Sequence, residues 1–333
     1  MSKKLNIIFS IYSTPYSTWE YYVNALKKYH NVVTLGYSIG RDEIESYKYD
    51  ACQNFAFYND FLINRFYEFI LSLSKPCDIQ TNIKIVDLSY FIEKFPFEAD
   101  LFIWSDSSDI VLPSNLQLLK CPKLALIGDS HLNLQWRLEY AKNFDYVFVL
   151  FSEHVDIFKK AGCKNVYYLP VACEPSLYLQ SQISKAHDIT FIGSTNKIIH
   201  SERVELLNKI FENNINLNID YKISHEMALA YSRSKIIFNK SVKNDINMRV
   251  FEALCSGSSL LTNKLPKECK LDELFQDRKH LVLYENNNLI DLIKYYLNNE
   301  DERILIAQEG KREVLSKHTY EHRIKELLSK IYE

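Results

Sequence analysis

Short runs rich in β-branched and aromatic residues alternate with longer amphipathic stretches along almost all of the 333 residues. That alternation is the pattern of βα units, which build parallel sheets covered by helices. In the first half it predicts strands at Leu5–Ile11, Val32–Leu35, Ile83–Asp87, Leu101–Trp104, Leu124–Ile127, Tyr146–Phe151 and Val166–Leu169. Helices are expected between them: one opened by the S-x-x-E capping box Ser17-Thr18-Trp19-Glu20 and running to about Tyr29, then Tyr58–Leu73, Leu132–Asn143 and Glu153–Ala161. After Leu169-Pro170 the period is lost, a second proline stands at Pro175, and the alternation restarts at Asp188. The second half predicts strands at Ile189–Ile192, Leu217–Tyr221, Ile236–Asn239, Ser259–Thr262 and Leu281–Tyr284. Its helices are expected at Ser201–Asn213, His225–Ser234, Met248–Ser256, Leu289–Leu297, Glu300–Lys317 and Tyr320–Tyr332.

The expected class is therefore α/β with two doubly wound, Rossmann-like domains, and the length suits two domains at roughly 100 to 200 residues each. Their bounds are read as 1–170, a linker 171–186, a second domain 187–317, and a terminal helix 318–333. Ligands of such sheets bind at the carboxyl ends of the strands, so the default site is a central cleft faced by both sheets.

Composition narrows what the site can hold. Lys and Arg number 40 against 42 Asp and Glu, so no global field favours nucleic acid or an acidic membrane surface. The seven glycines form neither G-x-G nor G-x-x-x-x-G-K, which removes the P-loop and the standard dinucleotide fingerprint. The seven cysteines contain no C-x-x-C and suit reduced, buried thiols, hence a cytoplasmic protein. Lys3-Lys4 before Leu5–Ile11 superficially resembles a secretory signal, but Asn6 and Ser10 interrupt the run and a first buried strand is the better reading. No run approaches the roughly 18 apolar residues of a membrane span.

The strongest local signal is Asn244-Asp245-Ile246-Asn247-Met248-Arg249-Val250-Phe251-Glu252 running on to Gly257. A strand enters a polar loop and then a helix, so free N–H groups near Asn247 to Arg249 point at the strand ends and welcome an anion. Arg249 can grip a diphosphate, and Glu252, on the same helical face, can accept from two ribose hydroxyls. An ordinary i,i+3 Arg–Glu surface pair fits the spacing equally well.

The run Asn247-Met248-Arg249-Val250-Phe251-Glu252-Ala253-Leu254-Cys255-Ser256-Gly257-Ser258-Ser259-Leu260-Leu261-Thr262 resembles the donor-site motif of GT-B glycosyltransferases, in particular the spore-maturation CgeB-like group of the glycosyltransferase family-1-type domain. Asp188-Ile189-Thr190-Phe191-Ile192-Gly193-Ser194 with Arg203 resembles that group's opening of the second domain. Asn165 to Pro170 resembles its inter-domain passage, and His318-Thr319-Tyr320-Glu321-His322-Arg323 its closing segment. The likeness covers about residues 120 to 333. It implies that Glu252 holds the nucleotide ribose, Arg249 the pyrophosphate, and that Gly193 and Ser194 let the backbone approach the donor. It also implies that the last helix returns to the first domain, with His318 fixing that crossing. One departure stands out: related enzymes carry a second Glu eight residues before the ribose-binding one, where this chain has Asn244, with Asp245 next to it as a substitute.

In the first domain Ile127-Gly128-Asp129-Ser130-His131 follows a strand. His131 is the candidate to touch the transferred sugar or take the acceptor's proton, with Asp129 orienting it or acting as base. A helix-capping Asp beside a half-buried His is the plainer alternative. The Trp104–Asp109 loop is read as an ordinary turn. No D-x-D pair and no H-E-x-x-H is present, so no metal and no cofactor are expected, only a nucleoside diphosphate sugar such as a UDP-sugar. The expected activity is transfer of a hexosyl or N-acetylhexosaminyl group to a glycan, protein or lipid-linked acceptor, with neither nucleic acid nor an integral membrane segment involved. The alternatives are a catalytically silent sugar-nucleotide or glycan-binding protein and a nucleotide-sugar epimerase.

Overall fold

A computed structural model describes residues 3–15, 17–41, 60–82, 85–107, 111–131, 133–178, 183–198 and 200–332, with the side chains of 60–63 excluded. In chain order the elements are β1 (Asn6–Ser13), α1 (Thr18–Lys27), β2 (Asn31–Ser38), α2 (Asp60–Leu73), β3 (Ile79–Gln80), β4 (Ile85–Asp87), β5 (Leu101–Ser105), β6 (Leu112–Ser114), β7 (Lys123–Ile127), α3 (Leu134–Ala141), β8 (Tyr146–Val149), α4 (Val155–Lys160) and β9 (Val166–Tyr168). There follow β10 (His187–Ile192), α5 (Ser201–Glu212), β11 (Leu217–Asp220), α6 (Ser224–Ser232), β12 (Ser234–Asn239), α7 (Met248–Ser256), β13 (Ser259–Asn263), α8 (Leu271–Leu274), β14 (Val282–Tyr284), α9 (Leu289–Asn298), α10 (Glu300–Lys317) and α11 (Tyr320–Tyr332).

The chain divides into two compact units, one from Met1–Glu43, Phe69–Pro170 and Tyr320–Glu333, the other from Ile44–Glu68 and Val171–Thr319. In the first unit seven parallel strands run in the order β3-β2-β1-β5-β7-β8-β9, so the order reverses between β1 and β5. The central strands are buried on both faces, and β5 reads Leu-Phe-Ile-Trp-Ser with every residue buried. Trp104 is wholly buried among Ile8, Ala125 and Val147, its indole N–H donating to the Val111 carbonyl at 2.8 Å. The terminal helix α11 lies on α1 through Tyr320, whose hydroxyl meets Thr18 Oγ1 at 2.6 Å and whose ring stacks on Tyr21 at 5.1 Å.

In the second unit the order is β11-β10-β12-β13-β14, all parallel, with its reversal between β10 and β12. Its core packs Phe191, Phe238, Leu207, Ile210 and Ile293 between sheet and helices. Phe66 of α2 sets its ring edge-on to Tyr221 at 4.8 Å.

Several expectations are adjusted. The strand expected at Ile83–Asp87 is β4, which pairs only with β6 in a two-stranded sheet beside the main one; Val86 is its one buried residue, too little for a central strand. β3 and β6 escape a periodicity reading because they span two and three residues, and β6 holds Pro113, which lacks an N–H for a second partner. The capping box is half made: Ser17 Oγ accepts from the Trp19 N–H at 3.2 Å, but the Ser17 N–H goes to the Thr14 carbonyl and the Glu20 carboxylate accepts from Ser13. Cys77, Cys121, Cys163, Cys173, Cys255 and Cys269 are buried free thiols. Cys52, Phe55, Ile83, Ser108, Asp109 and Leu132 lie outside the described residues. Among the described residues no helix is long and apolar enough to cross a membrane.

Gly310, in the middle of α10, marks where that helix crosses closest to its neighbours. A Cβ there would stand 2.2 Å from the His280 carbonyl oxygen and 2.8 Å from a Leu254 methyl. Alanine would gain about 1 kcal/mol of helix propensity. Overpacking against backbone costs more. Gly310→Ala is expected to destabilise the protein by about 2 kcal/mol, read as a lower urea midpoint; an unchanged or higher midpoint would refute the close crossing.

Candidate functional site

The reversal between β10 and β12 is where a parallel sheet leaves a crevice at its carboxyl edge, and the residues singled out in the second half converge there. β10 ends at Gly193, which has φ of 146°. Arg249, in the first turn of α7, lays its guanidinium across this strand end: Nε donates to the Ile192 carbonyl at 3.0 Å and Nη1 to Asn239 Oδ1 at 2.7 Å. A Cβ on residue 193 would fall 2.4 Å from Arg249 Nη2, so glycine is required by the arginine's approach as well as by the backbone angle. Asn239 is itself fixed, its amide donating to Thr262 Oγ1 at 2.9 Å.

Arg203 comes to the same place from α5. It donates to the carbonyls of Ser194 and Lys240, both at 3.0 Å, and is 6% exposed. Phe191 lies beneath both cations, its ring centroid 4.7 Å from Arg249 Cζ and 5.2 Å from Arg203 Cζ. Among the described residues neither guanidinium hydrogen-bonds a carboxylate; every acceptor they use is neutral. Burial, then the repulsion of Arg249, pulls Arg203 down to about 10, with Asp245 opposing.

Glu252 is buried one helical turn after Arg249, yet no salt bridge joins them, so the surface-pair reading does not describe this pair. Among the described residues its carboxylate accepts no hydrogen bond. Burial pushes it up to about 7 against the lowering pull of Arg249. The helix N-terminus here is also incompletely capped: Asn247 makes no side-chain cap, and its Oδ1 is buried without a partner. Met248 opens the helix, half-buried. Asn244 is exposed, with φ of 62°, and follows Lys243, also in the left-handed region. Asp245 turns back to accept the Val242 N–H at 2.6 Å, which ties it into its own loop.

The first unit has its own cluster at the strand ends. Asp129 is solvent-exposed and makes no hydrogen bond among the described residues, so it is not a helix cap. Crowding by the protein raises its carboxyl, Asp106 adds to that, and His131 and Arg137 oppose it. His131 has a buried Nδ1 without a partner and packs edge-on against Phe151 at 4.9 Å. Beside it Ser130 Oγ meets His154 Nδ1 at 2.6 Å.

The reading of Trp104–Asp109 as an ordinary turn needs correction at Asp106. It is buried and receives Arg137 Nε at 2.6 Å and Nη2 at 3.3 Å, and it accepts the Gly128 N–H at 3.2 Å, which fixes the start of the Gly128–His131 loop. Sequence reasoning missed Asp106, Arg137, Phe191 and Asn239. The signal available for the first two was a strand-end Asp with an Arg on a later helix, which is too common to select. His318 sits in packing, its ring against Phe275 at 5.0 Å and its carbonyl accepting the Cys173 N–H at 3.1 Å.

Glu252 makes the site's cost measurable. Its ordinary value is 4.5 and its folded value about 7. Between those values the unfolded chain has released the proton and the folded chain keeps it, so stability falls as pH rises and the full penalty, ~3 kcal/mol, applies above 7. Glu252→Gln is therefore expected to be more stable than the parent at pH about 8, with the gain vanishing near pH 4.5. Urea unfolding at both values checks this; a destabilised variant at the higher pH would overturn it.

Residues 187–329 match a family described as "Glycosyl transferase-like". No similar sequence is found among curated proteins. The structure of Anabaena Alr3699/HepE in complex with UDP-glucose superposes with a TM-score of 0.63 at 13% identity, over 98% of this chain and 99% of that one. An α-glucosyltransferase in complex with UDP-glucose and DNA containing an abasic site gives 0.68 at 11% identity, over 99% and 100%. Sucrose-phosphate synthase from Thermosynechococcus elongatus gives 0.61 at 10% identity, over 99% of both chains. With its two parallel α/β sheets and this whole-length likeness, the chain has the GT-B glycosyltransferase fold.

Proposed function

We propose that the protein is a glycosyltransferase that moves a hexosyl or N-acetylhexosaminyl group from a UDP-sugar to a glycan, protein or lipid-linked acceptor, without a metal. The run Asn247–Thr262 supports placing it in the CgeB-like group. One observation carries the reading: two arginines share the Phe191 ring and, among the described residues, neither is hydrogen-bonded to a carboxylate, while one helical turn after Arg249 a buried glutamate has no hydrogen-bond donor. Paired guanidinium groups are the chemistry of a diphosphate, and a lone buried carboxylate is the chemistry of a vicinal diol such as ribose. The UDP-glucose held by the HepE structure, in the same fold, supports uridine as the base.

In this reading Arg249 and Arg203 stabilise the negative charge that develops on the departing diphosphate, and they do so from fixed positions. Asp129, with its raised carboxyl, or His131 takes the acceptor's proton. Asn244 favours a second reading. It is exposed and uncharged where a sugar-facing carboxylate is expected, which suits a protein that binds a sugar nucleotide and does not turn it over.

Thermal shift with UDP, GDP, CDP and ADP, with and without EDTA, separates these outcomes. UDP at 100 times its Kd stabilises by about 2.7 kcal/mol. The expected result is stabilisation by UDP, unaffected by EDTA and lost in Arg249→Ala. Gly193→Ala, which displaces the Arg249 guanidinium, is expected to weaken UDP binding by about tenfold, the worth of one charge-assisted hydrogen bond. Absence of any nucleotide effect would refute the donor site, and UDP binding without hydrolysis or transfer of any UDP-sugar would establish the silent reading.

A further inference from the structure

The loop leaving β10 re-enters helix at His200, three residues before Arg203. His200 occupies the position before the first residue of α5, its N–H bonded to the Asn196 carbonyl at 2.8 Å and its own carbonyl accepting from Val204 at 3.1 Å. Its backbone is thus fixed. Its Nδ1 is shut off from solvent and has no hydrogen-bond partner among the described residues, and the same is true of Arg203 Nε. Buried polar nitrogens are rarely left so. Beside a pair of arginines with no hydrogen-bonded carboxylate among the described residues, one anionic oxygen can satisfy both, Arg203 Nε–H as it stands and His200 Nδ1 once protonated.

The charges that face the imidazole are Arg203 on its own helix and Arg249 on α7, while Asp245, on the loop before α7, acts on Arg203. Burial and the two guanidinium groups push His200 down to about 4, so in the free protein it is neutral at neutral pH. A bound diphosphate, with two negative charges, outweighs the two guanidinium charges and adds a charge-assisted acceptor that favours the imidazolium against its burial.

We propose that His200 is a third ligand of the donor diphosphate and engages it as imidazolium, so that the imidazole takes up one proton from solvent when the donor binds. The inference rests on the donor-site reading above. The balance is simple: the neutral imidazole gains a solvent proton, its Nδ1–H donates to a phosphate oxygen, and no bond of the donor is made or broken. The His200 contribution to donor affinity consequently rises as pH falls through the interval between the bound-state value and about 4, by up to tenfold per pH unit, and is flat above that interval, while Glu252 contributes with the opposite sign around 7.

Calorimetric titration with UDP-glucose tests this, because the diphosphate of a sugar nucleotide is a diester with no proton titrating near neutrality. At about pH 6, in two buffers of different ionisation enthalpy, the wild type is expected to take up close to one proton more than His200→Gln, a difference from which the proton that Glu252 releases to accept from ribose cancels. His200→Gln, which keeps a polar side chain and cannot be charged, is expected to bind UDP-glucose, with its affinity relative to the wild type falling between about pH 8 and about pH 6. As a check free of mutation, imidazole NMR of the wild type should show one histidine passing from neutral to charged on adding UDP-glucose. Tight binding with the same proton exchange in the wild type and in His200→Gln overturns the role of His200 and leaves the donor site standing. Failure of the wild type to bind UDP-glucose or UDP overturns both.

Discussion

The Arg249 guanidinium, seated on the end of β10, is the contact on which the second unit's site depends. Its hydrogen bonds to the Ile192 carbonyl and Asn239 fix the first turn of α7 against two neighbouring strands, β10 and β12. Glycine at 193 follows from that approach, and so does the burial of Phe191, whose ring supports the cation from below. Once α7 is held this way its next turn carries Glu252 inward, because residues three apart share a helix face. Burying a carboxylate there costs free energy, and the same desolvation raises it to about 7. The fold bears it because α7 also buries Val250, Phe251, Ala253, Leu254 and Cys255, enough apolar surface to outweigh one desolvated acid.

Local rules of sequence reached this site because its pieces sit at element boundaries. The bounds of α7, α10 and α11 were legible as Met248–Ser256, Glu300–Lys317 and Tyr320–Tyr332, since long amphipathic runs ended by glycine, or opened by acids, carry their own signals. Glycine 193 and Arg249 were legible one at a time. What sequence could not give is the distance between them, because 193 and 249 are joined only through the register of β10 with β12, in which Ile189 pairs with Ile236 and Thr190 with Ile237. Phe191 and Asn239 were hidden for the same reason. Each reads as an ordinary strand residue, and each acquires its role only when the strands lie side by side.

The two sheets differ in how the arginine at their strand ends is neutralised. In each, an arginine from a helix reaches the carboxyl end of the sheet near the reversal of strand order, and each stacks on an aromatic ring: Arg137 on Trp136 at 4.6 Å, Arg249 on Phe191 at 4.7 Å. In the first unit the cation meets Asp106 in a two-pronged, nearly solvent-free ion pair, and the Trp19 indole donates to the Asp106 carbonyl at 2.9 Å, so the reversal point is filled by the chain itself. The positive charge there is spent on fixing Gly128 and the loop to His131. In the second unit the corresponding acceptors are the neutral oxygens of Ile192 and Asn239, which orient a guanidinium without cancelling it. A neutral acceptor leaves the full unit charge available to a ligand, whereas a buried carboxylate removes it at short range. The same side chain in the same topological position is therefore neutralised by the chain in one unit and held by neutral oxygens in the other, and the identity of one acceptor at a strand end makes the difference.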